Sequence, residues 1–318
     1  MKKICIVTFL SLLGFFFAAA LQAADSWYAF SYFTDNGEGG MRLLISQDAM
    51  KWEPVAGGKT MMPPIGDKGI VRDPSVCRGP DGVYHMTWTM NWFGTRDPKT
   101  RTFGYASSKD LIHWSEPLRV PVMENDPQCR NVWAPEIFYD EASQKYYIIW
   151  ASTVLGKFSE KGTSEDKNDH RQYFTTTTDF KTFTPSKLYF DPGHNVIDSY
   201  LAKKDGTYYL FYKDERLWPE RKIICLATSK NIEGPFTPQG DISPVSWVEG
   251  PSALWLGDHW LVCYDRYTRG CYGAITSKDG KTWTDVSDQF SVPKGIRHGT
   301  MFPIDAKTAE GLKALKAE

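Results

Sequence analysis

The chain has 318 residues, is 42% hydrophobic and 14% aromatic, and carries a formal net charge of −1. A charge so near balance leaves no basic field for nucleic acid or an anionic membrane, which excludes both as the basis of function. Beyond residue 23 the cysteines are Cys77, Cys129, Cys225, Cys263 and Cys271, an odd and scattered set that is no disulfide framework. Cys263 and Cys271 flank one hairpin, so a bridge between them stays open. No CxxC or HExxH spacing points to zinc.

The first 23 residues, MKKICIVTFLSLLGFFFAAALQA, place two lysines before an apolar run and end in small residues. They read as a signal peptide removed after Ala23, which implies a periplasmic or secreted protein. Residues 24–318 then form one domain, expected to be monomeric. Five inner strands are predicted: RDPSVCR (72–78), WAPEIFYD (133–140), IDSYLAK (197–203), EGPSALW (249–255) and RHGTMFPI (297–304). Four of them precede a hairpin with an aromatic, β-branched run: DGVYHMTWTM, SQKYYIIWAS, DGTYYLFYKD and LGDHWLVCYD. A third strand follows each hairpin, and then a recurring phrase: SQDAMKW, SSKDLIHW, TTTDFKTF, TSKNIEGPF and TSKDGKTW.

The phrases end at Trp52, Trp114, Phe183, Phe236 and Trp283, a period suited to one four-stranded sheet plus loops. Each is expected to turn the chain into an outer strand. The fifth inner strand has no hairpin after it, whereas SWYAFSYF and MRLLISQD at the N-terminus have no inner strand before them. The prediction is an all-β, five-bladed β-propeller whose ring is closed by N-terminal strands joining the last blade. Only TAEGLKALKA near the C-terminus reads as helix.

Inner strands of a propeller line its axis. Here they carry Asp73, Glu136, Asp198 and Glu249, expected at equivalent positions of four blades, with Arg297 and His298 on the fifth. Unpaired buried acids are costly, so a fold that gathers them is using them. Glu136 reads as a structural tie to a neighbouring blade. Asp73, Asp198 and Glu249 read as functional. Glu233 repeats the Glu-Gly-Pro motif of Glu249 but falls in a recurring phrase, at the rim of a blade, and is rejected.

In that order the motifs RDPSV, WAPEI, IDSYL, EGPSALW and RHGT resemble glycoside hydrolase family 43 over nearly all of residues 24–318. The resemblance implies inverting hydrolysis of plant-type glycans, with α-L-arabinofuranosidase, β-xylosidase and arabinanase as common activities. It implies Asp73 as general base, Glu249 as general acid and Asp198 as the group that orients the acid and raises its pKa. Arg297 and His298 would bind substrate, His298 facing an axial water or calcium ion; no cofactor is required. Arg72 is a local partner of the base. The chemistry agrees on its own terms, since inversion needs one protonated and one ionised carboxyl group with a water between.

Loops 90–103, 153–172 and 213–222 shape the mouth. Trp92, Phe93, Trp133 and Trp218 are expected sugar platforms. The partner is then an oligosaccharide or polysaccharide, attacked from a chain end in a small pocket. No carbohydrate-binding module is evident, so soluble oligosaccharides are the expected substrate. Three alternatives carry less of the pattern. A sialidase needs a longer Asp-box and an arginine cluster, and a family 32-like fructosidase needs an Asn-Asp-Pro motif. A non-catalytic sugar-binding propeller would lose an acid.

Overall fold

The computed structural model describes residues 26–65, 69–91, 101–158, 164 and 167–317. The signal peptide expected over residues 1–23, and Trp92 and Phe93, lie outside the described residues. The chain is a five-bladed β-propeller. Blade I runs from the inner strand Arg72–Arg78 through Tyr84–Thr89 and Thr102–Ser108 to Leu118–Pro121. Blade II uses Trp133–Asp140, Lys145–Thr153, His170–Thr177 and Lys187–Phe190. Blade III uses Val196–Lys204, Thr207–Asp214, Ile223–Ser229 and Thr237–Asp241. Blade IV uses Glu249–Trp255, Trp260–Arg266, Cys271–Ser277 and Thr284–Asp285.

Blade V closes the ring as the sequence predicts. The C-terminal pieces Ile296–Arg297 and Met301–Ile304 both pair with Trp27–Thr34, which continues to Arg42–Ser46 and Glu53–Pro54. First and last strands are thereby hydrogen-bonded to each other, so no inner edge is left open. The one described α-helix, Ala306–Ala314, is capped by Asp305, which accepts from Thr308 N at 2.8 Å. Its Ala309 and Leu312 pack into the contact between blades V and I.

Five apolar clusters sit one to each gap between neighbouring blades. In blade II, Ile148 and Trp150 face blade I, while Tyr147 and Ile149 face blade III. Alternate residues of one strand thus pack on two different neighbours, which explains the unbroken apolar runs of the second strands.

The recurring phrase is a turn with a physical recipe. A hydroxyl residue precedes an aspartate by two, and the aspartate Oδ1 accepts the N–H groups two and three residues on. Asp48 holds Met50 and Lys51 this way, Asp110 holds Ile112 and His113, Asp179 holds Lys181 and Thr182, and Asp279 holds Lys281 and Thr282. The residue after each aspartate is left-handed: Ala49, Leu111, Phe180 and Gly280. Trp52 and Trp114 then donate Nε1–H to the carbonyls of Ala49 and Leu111. TSKNIEGPF is one residue longer and uses Asn231 instead, which holds Glu233 N.

All five described cysteines are free. Cys263 stands opposite Ala274 and Cys271 opposite Arg266, so the register of their hairpin keeps the two thiols apart.

Candidate active site

Four inner strands break at the same place. Their register slips between Arg72 and Ser75, Trp133 and Glu136, Ile197 and Tyr200, and Glu249 and Ser252. The first residue of each slip is left-handed, with φ of 51° at Asp73, 45° at Ala134, 49° at Asp198 and 56° at Gly250. In blade V, residues 298–300 stand between the pairs Arg297–Phe33 and Met301–Phe30, and His298 takes the corresponding place. The four acids are therefore not equivalent, which corrects the expectation. Asp73 and Asp198 share the bulge position with His298. Glu249 lies one residue earlier, and Glu136 two residues later. A bulge turns successive side chains the same way, so neighbouring positions all reach the axis.

The bulges line a cavity on the axis, walled by Asp73, Glu136, Asp198, Gly250, His298 and Thr300 among others. His298 is its hub. Nε2 stands 2.9 Å from Asp73 Oδ1 and 3.9 Å from both Asp198 Oδ2 and Glu249 Oε1. The facing oxygens of Asp73 and Glu249, at 2.9 and 3.9 Å from one atom, are thus no more than about 6.8 Å apart. The contact with Asp73 is a close ion pair. Oδ2 accepts from Thr89 Oγ1 at 2.6 Å, and that hydroxyl accepts from Ala134 N at 2.7 Å, tying blade I to blade II. Asp198 Oδ2 accepts Gly250 N at 3.1 Å, tying blade III to blade IV.

Glu249 is held by two cations. Arg297 Nη2 donates to Oε1 at 2.7 Å, and Lys213 Nζ lies 3.3 Å from Oε2. Arg297 also donates Nε–H to Asp265 Oδ2 at 3.0 Å. Lys213 pairs in addition with Glu215 at 2.8 Å, and Glu215 with the buried Lys222. Charges alternate along Lys222, Glu215, Lys213, Glu249, Arg297 and Asp265, which is how so many ions tolerate so little water.

Burial opposes charge on Asp73, but the His298 imidazolium, Arg72 and the Thr89 hydroxyl hold it well below the usual carboxylate range. Burial, and then the charge on Glu249, push Asp198 up, with His298 offsetting only part. Burial and Glu249 likewise push Asp265 up. Burial would raise Glu249 too, yet Lys213, His298 and Arg297 outweigh it and hold the carboxylate ionised. His298 loses to burial but gains more from Asp73 and Asp198, and rises to about 9. The free site therefore holds an ionised Asp73 against a protonated His298.

Glu136 lies as a tie, as expected. Its Oε2 accepts from Ser75 Oγ of blade I at 2.6 Å, and burial pushes its pKa up to about 8. Trp133 holds in blade II the position that Glu249 holds in blade IV, its ring 4.8 Å from that of His170. Trp218 is 78% exposed, on the loop that leaves the second strand of blade III beyond Lys213 and Asp214. Arg72 lies over Phe33 at 4.9 Å. His298 Nε2, which the resemblance would turn toward an axial water or calcium ion, faces Asp73 Oδ1 at 2.9 Å. Three site residues were missed: Thr89, Lys213 and Asp265. Thr89 is the last residue of its second strand, and Lys213 and Asp265 are next to last in theirs; they pair with Arg72, Ile197 and Glu249 respectively. That pairing was the only available signal.

A five-bladed propeller with ionisable side chains from four blades converging on its axis is the architecture of a propeller hydrolase. A family model described as "Probable glycosyl hydrolase domain", of the family 43-related glycosyl hydrolases, matches residues 25–310, and the chain belongs to that family. An α-L-arabinofuranosidase of Bifidobacterium longum subsp. longum is 25% identical over 240 residues, 68% of this chain and 22% of that protein. The non-reducing end α-L-arabinofuranosidase BoGH43B of Bacteroides ovatus is 26% identical over 221 residues, 64% of this chain and 35% of that protein. The chain thus spans well under half of these relatives. Among solved structures, a thermostable family-43 glycoside hydrolase superposes with a TM-score of 0.58 at 17% identity, covering 79% of this chain and 84% of that one. The Bacillus licheniformis BlXynB protein gives 0.56 at 14% identity, covering 86% and 54%. At such identities the superpositions speak for the fold alone.

Proposed function

We propose that the chain is an exported glycosidase, acting as a monomer, that releases a terminal sugar such as α-L-arabinofuranose or β-D-xylose from plant-type oligosaccharides with inversion. One observation carries the reading. Asp73, Asp198 and Glu249, from three blades, meet within 4 Å of one His298 nitrogen. His298 holds Asp73 ionised and so able to take the proton of an attacking water. The names of the arabinofuranosidase relatives support the sugar class.

In the proposed reaction Asp73 takes one proton from water as its oxygen bonds to the anomeric carbon. The glycosidic C–O bond breaks on the far side, and Glu249 protonates the leaving oxygen. His298 and Arg72 keep Asp73 ionised. Glu249 must hold a proton that the free site places elsewhere. The free site keeps that proton on carboxyls beside Glu249. It rests on the raised carboxyls Asp198 and Asp265 and belongs to the group rather than to one residue. A leaving oxygen that displaces Lys213 or Arg297 from Glu249 moves that proton onto Glu249. Asp198 thus acts as the acid's proton partner. An axial calcium ion has no step here.

The test is sugar release from a panel of α-L-arabinofuranosides, β-D-xylosides and matching oligosaccharides, with wild type and Glu249→Gln side by side. The reading expects one sugar released by wild type and a loss of at least ~10³-fold in the variant. Full activity in Glu249→Gln would refute the acid assignment, and a wild type that binds but never cleaves would make the propeller a lectin.

A further inference from the structure

The proposed reaction accounts for the bond that breaks. It says nothing of what holds the sugar that leaves. Glu249 marks where that ring must lie, because the acid touches the leaving oxygen. Two partly exposed aromatic residues that the sequence reading did not single out flank Glu249 on this side. Trp247 is two residues before it, in the loop that enters blade IV. Tyr267 follows Arg266 in the turn after Asp265, the residue paired with Glu249.

Their placement is built rather than incidental. The rings lie 6.3 Å apart at 55°, making a corner. Lys213 Nζ is 4.7 Å from the Tyr267 ring and 3.3 Å from Glu249 Oε2, so one buried ammonium positions both platform and acid. Lys222 Nζ is 5.9 Å from the Trp247 ring, while its carbonyl accepts Val248 N at 3.1 Å. Trp247 also has a φ of 60°, a left-handed conformation that a bulky residue rarely adopts. Such strain is kept where the surroundings fix a side chain in place.

We infer that Trp247 and Tyr267 form the subsite for the leaving-group sugar, binding the apolar C–H face of a ring next to Glu249. The ligand class is an oligosaccharide extending past the scissile bond. The inference rests on the glycosidase reading and deepens it. A platform remote from the reacting carbon strengthens ground state and transition state alike, so its loss raises KM for oligosaccharides and leaves kcat nearly unchanged.

The test compares wild type, Trp247→Ala, Trp247→Phe and Tyr267→Ala on two substrates of the sugar that wild type releases. One is the methyl glycoside, which offers no ring to the subsite, and the other is the matching trisaccharide. The expected result is a fall of about tenfold or more in kcat/KM on the trisaccharide for Trp247→Ala, through KM, with less than about twofold on the methyl glycoside. Trp247→Phe should restore most of the loss. Equal losses on both substrates, or none on either, would overturn the subsite while leaving the glycosidase reading intact. A wild type that releases no sugar from the whole glycoside panel would overturn the glycosidase reading, and the subsite with it.

Discussion

Glu249 and Asp265 stand opposite each other on paired strands of blade IV, and Arg297 from blade V holds both, at 2.7 and 3.0 Å. Two carboxylates so placed with one guanidinium cannot both ionise freely. Asp265 is pushed up and Glu249 held down, and Asp198 is pushed up from the other side. The site therefore stores a proton next to its acid, not on it.

Activity should follow that stored proton. Asp198 rises to about 6, so kcat/KM is expected to fall as pH rises through about 6. It should hold toward lower pH, because Asp73 stays ionised well below the usual carboxylate range. A pH–rate profile from pH 4 to 9 checks this, and Asp198→Asn should move the basic limb. A flat profile over that range would contradict the shared proton.

Stability should follow His298. Its pKa rises to about 9 in the folded chain against ~6.5 unfolded, so the folded state binds the proton more tightly. The contribution is complete below the unfolded value and is lost as pH rises through about 9. The shift corresponds to about 3 kcal/mol at most. Urea unfolding at pH 6 and pH 10 should show that loss in wild type and little of it in His298→Gln.

Lys213 is buried between Glu215 and Glu249. Lys213→Met leaves two acids short of a partner and should cost about 3–5 kcal/mol. Adding Glu249→Gln should recover part of it, because the orphaned charge is then gone. A double-mutant cycle by denaturant unfolding measures the coupling, and strict additivity would remove the ion pair from the account.

Gly250 touches the hub directly. A Cβ there would lie 2.1 Å from His298 Cγ, at a backbone φ of 56°. Gly250→Ala should therefore push His298 away from Asp73, lowering Tm and abolishing turnover together. Retention of either would show that the ring has room to move.

The propeller was legible because its signals are local and repeated. The Ser/Thr-x-Asp turns recur at fixed places, and the unmatched strands at the two ends of the chain complete one blade. Asp73, Asp198, Glu249 and His298 were legible because each begins an inner strand. Their inequivalence was not, since a bulge changes the pairing without leaving a composition mark. Thr89, Lys213 and Asp265 become visible only once strands 1 and 2 of each blade are set in register. Trp247 and Tyr267 were hidden for a related reason, lying in two separate loops that meet only because Glu249 pairs with Asp265.

The most direct test of the central claim is the anomeric configuration of the first sugar released, followed by proton NMR before mutarotation. Asp73 as base and Glu249 as acid on either side of a water-attacked carbon predict the inverted anomer. The retained anomer would contradict the account, because it would require one of these carboxylates to bond to the sugar itself.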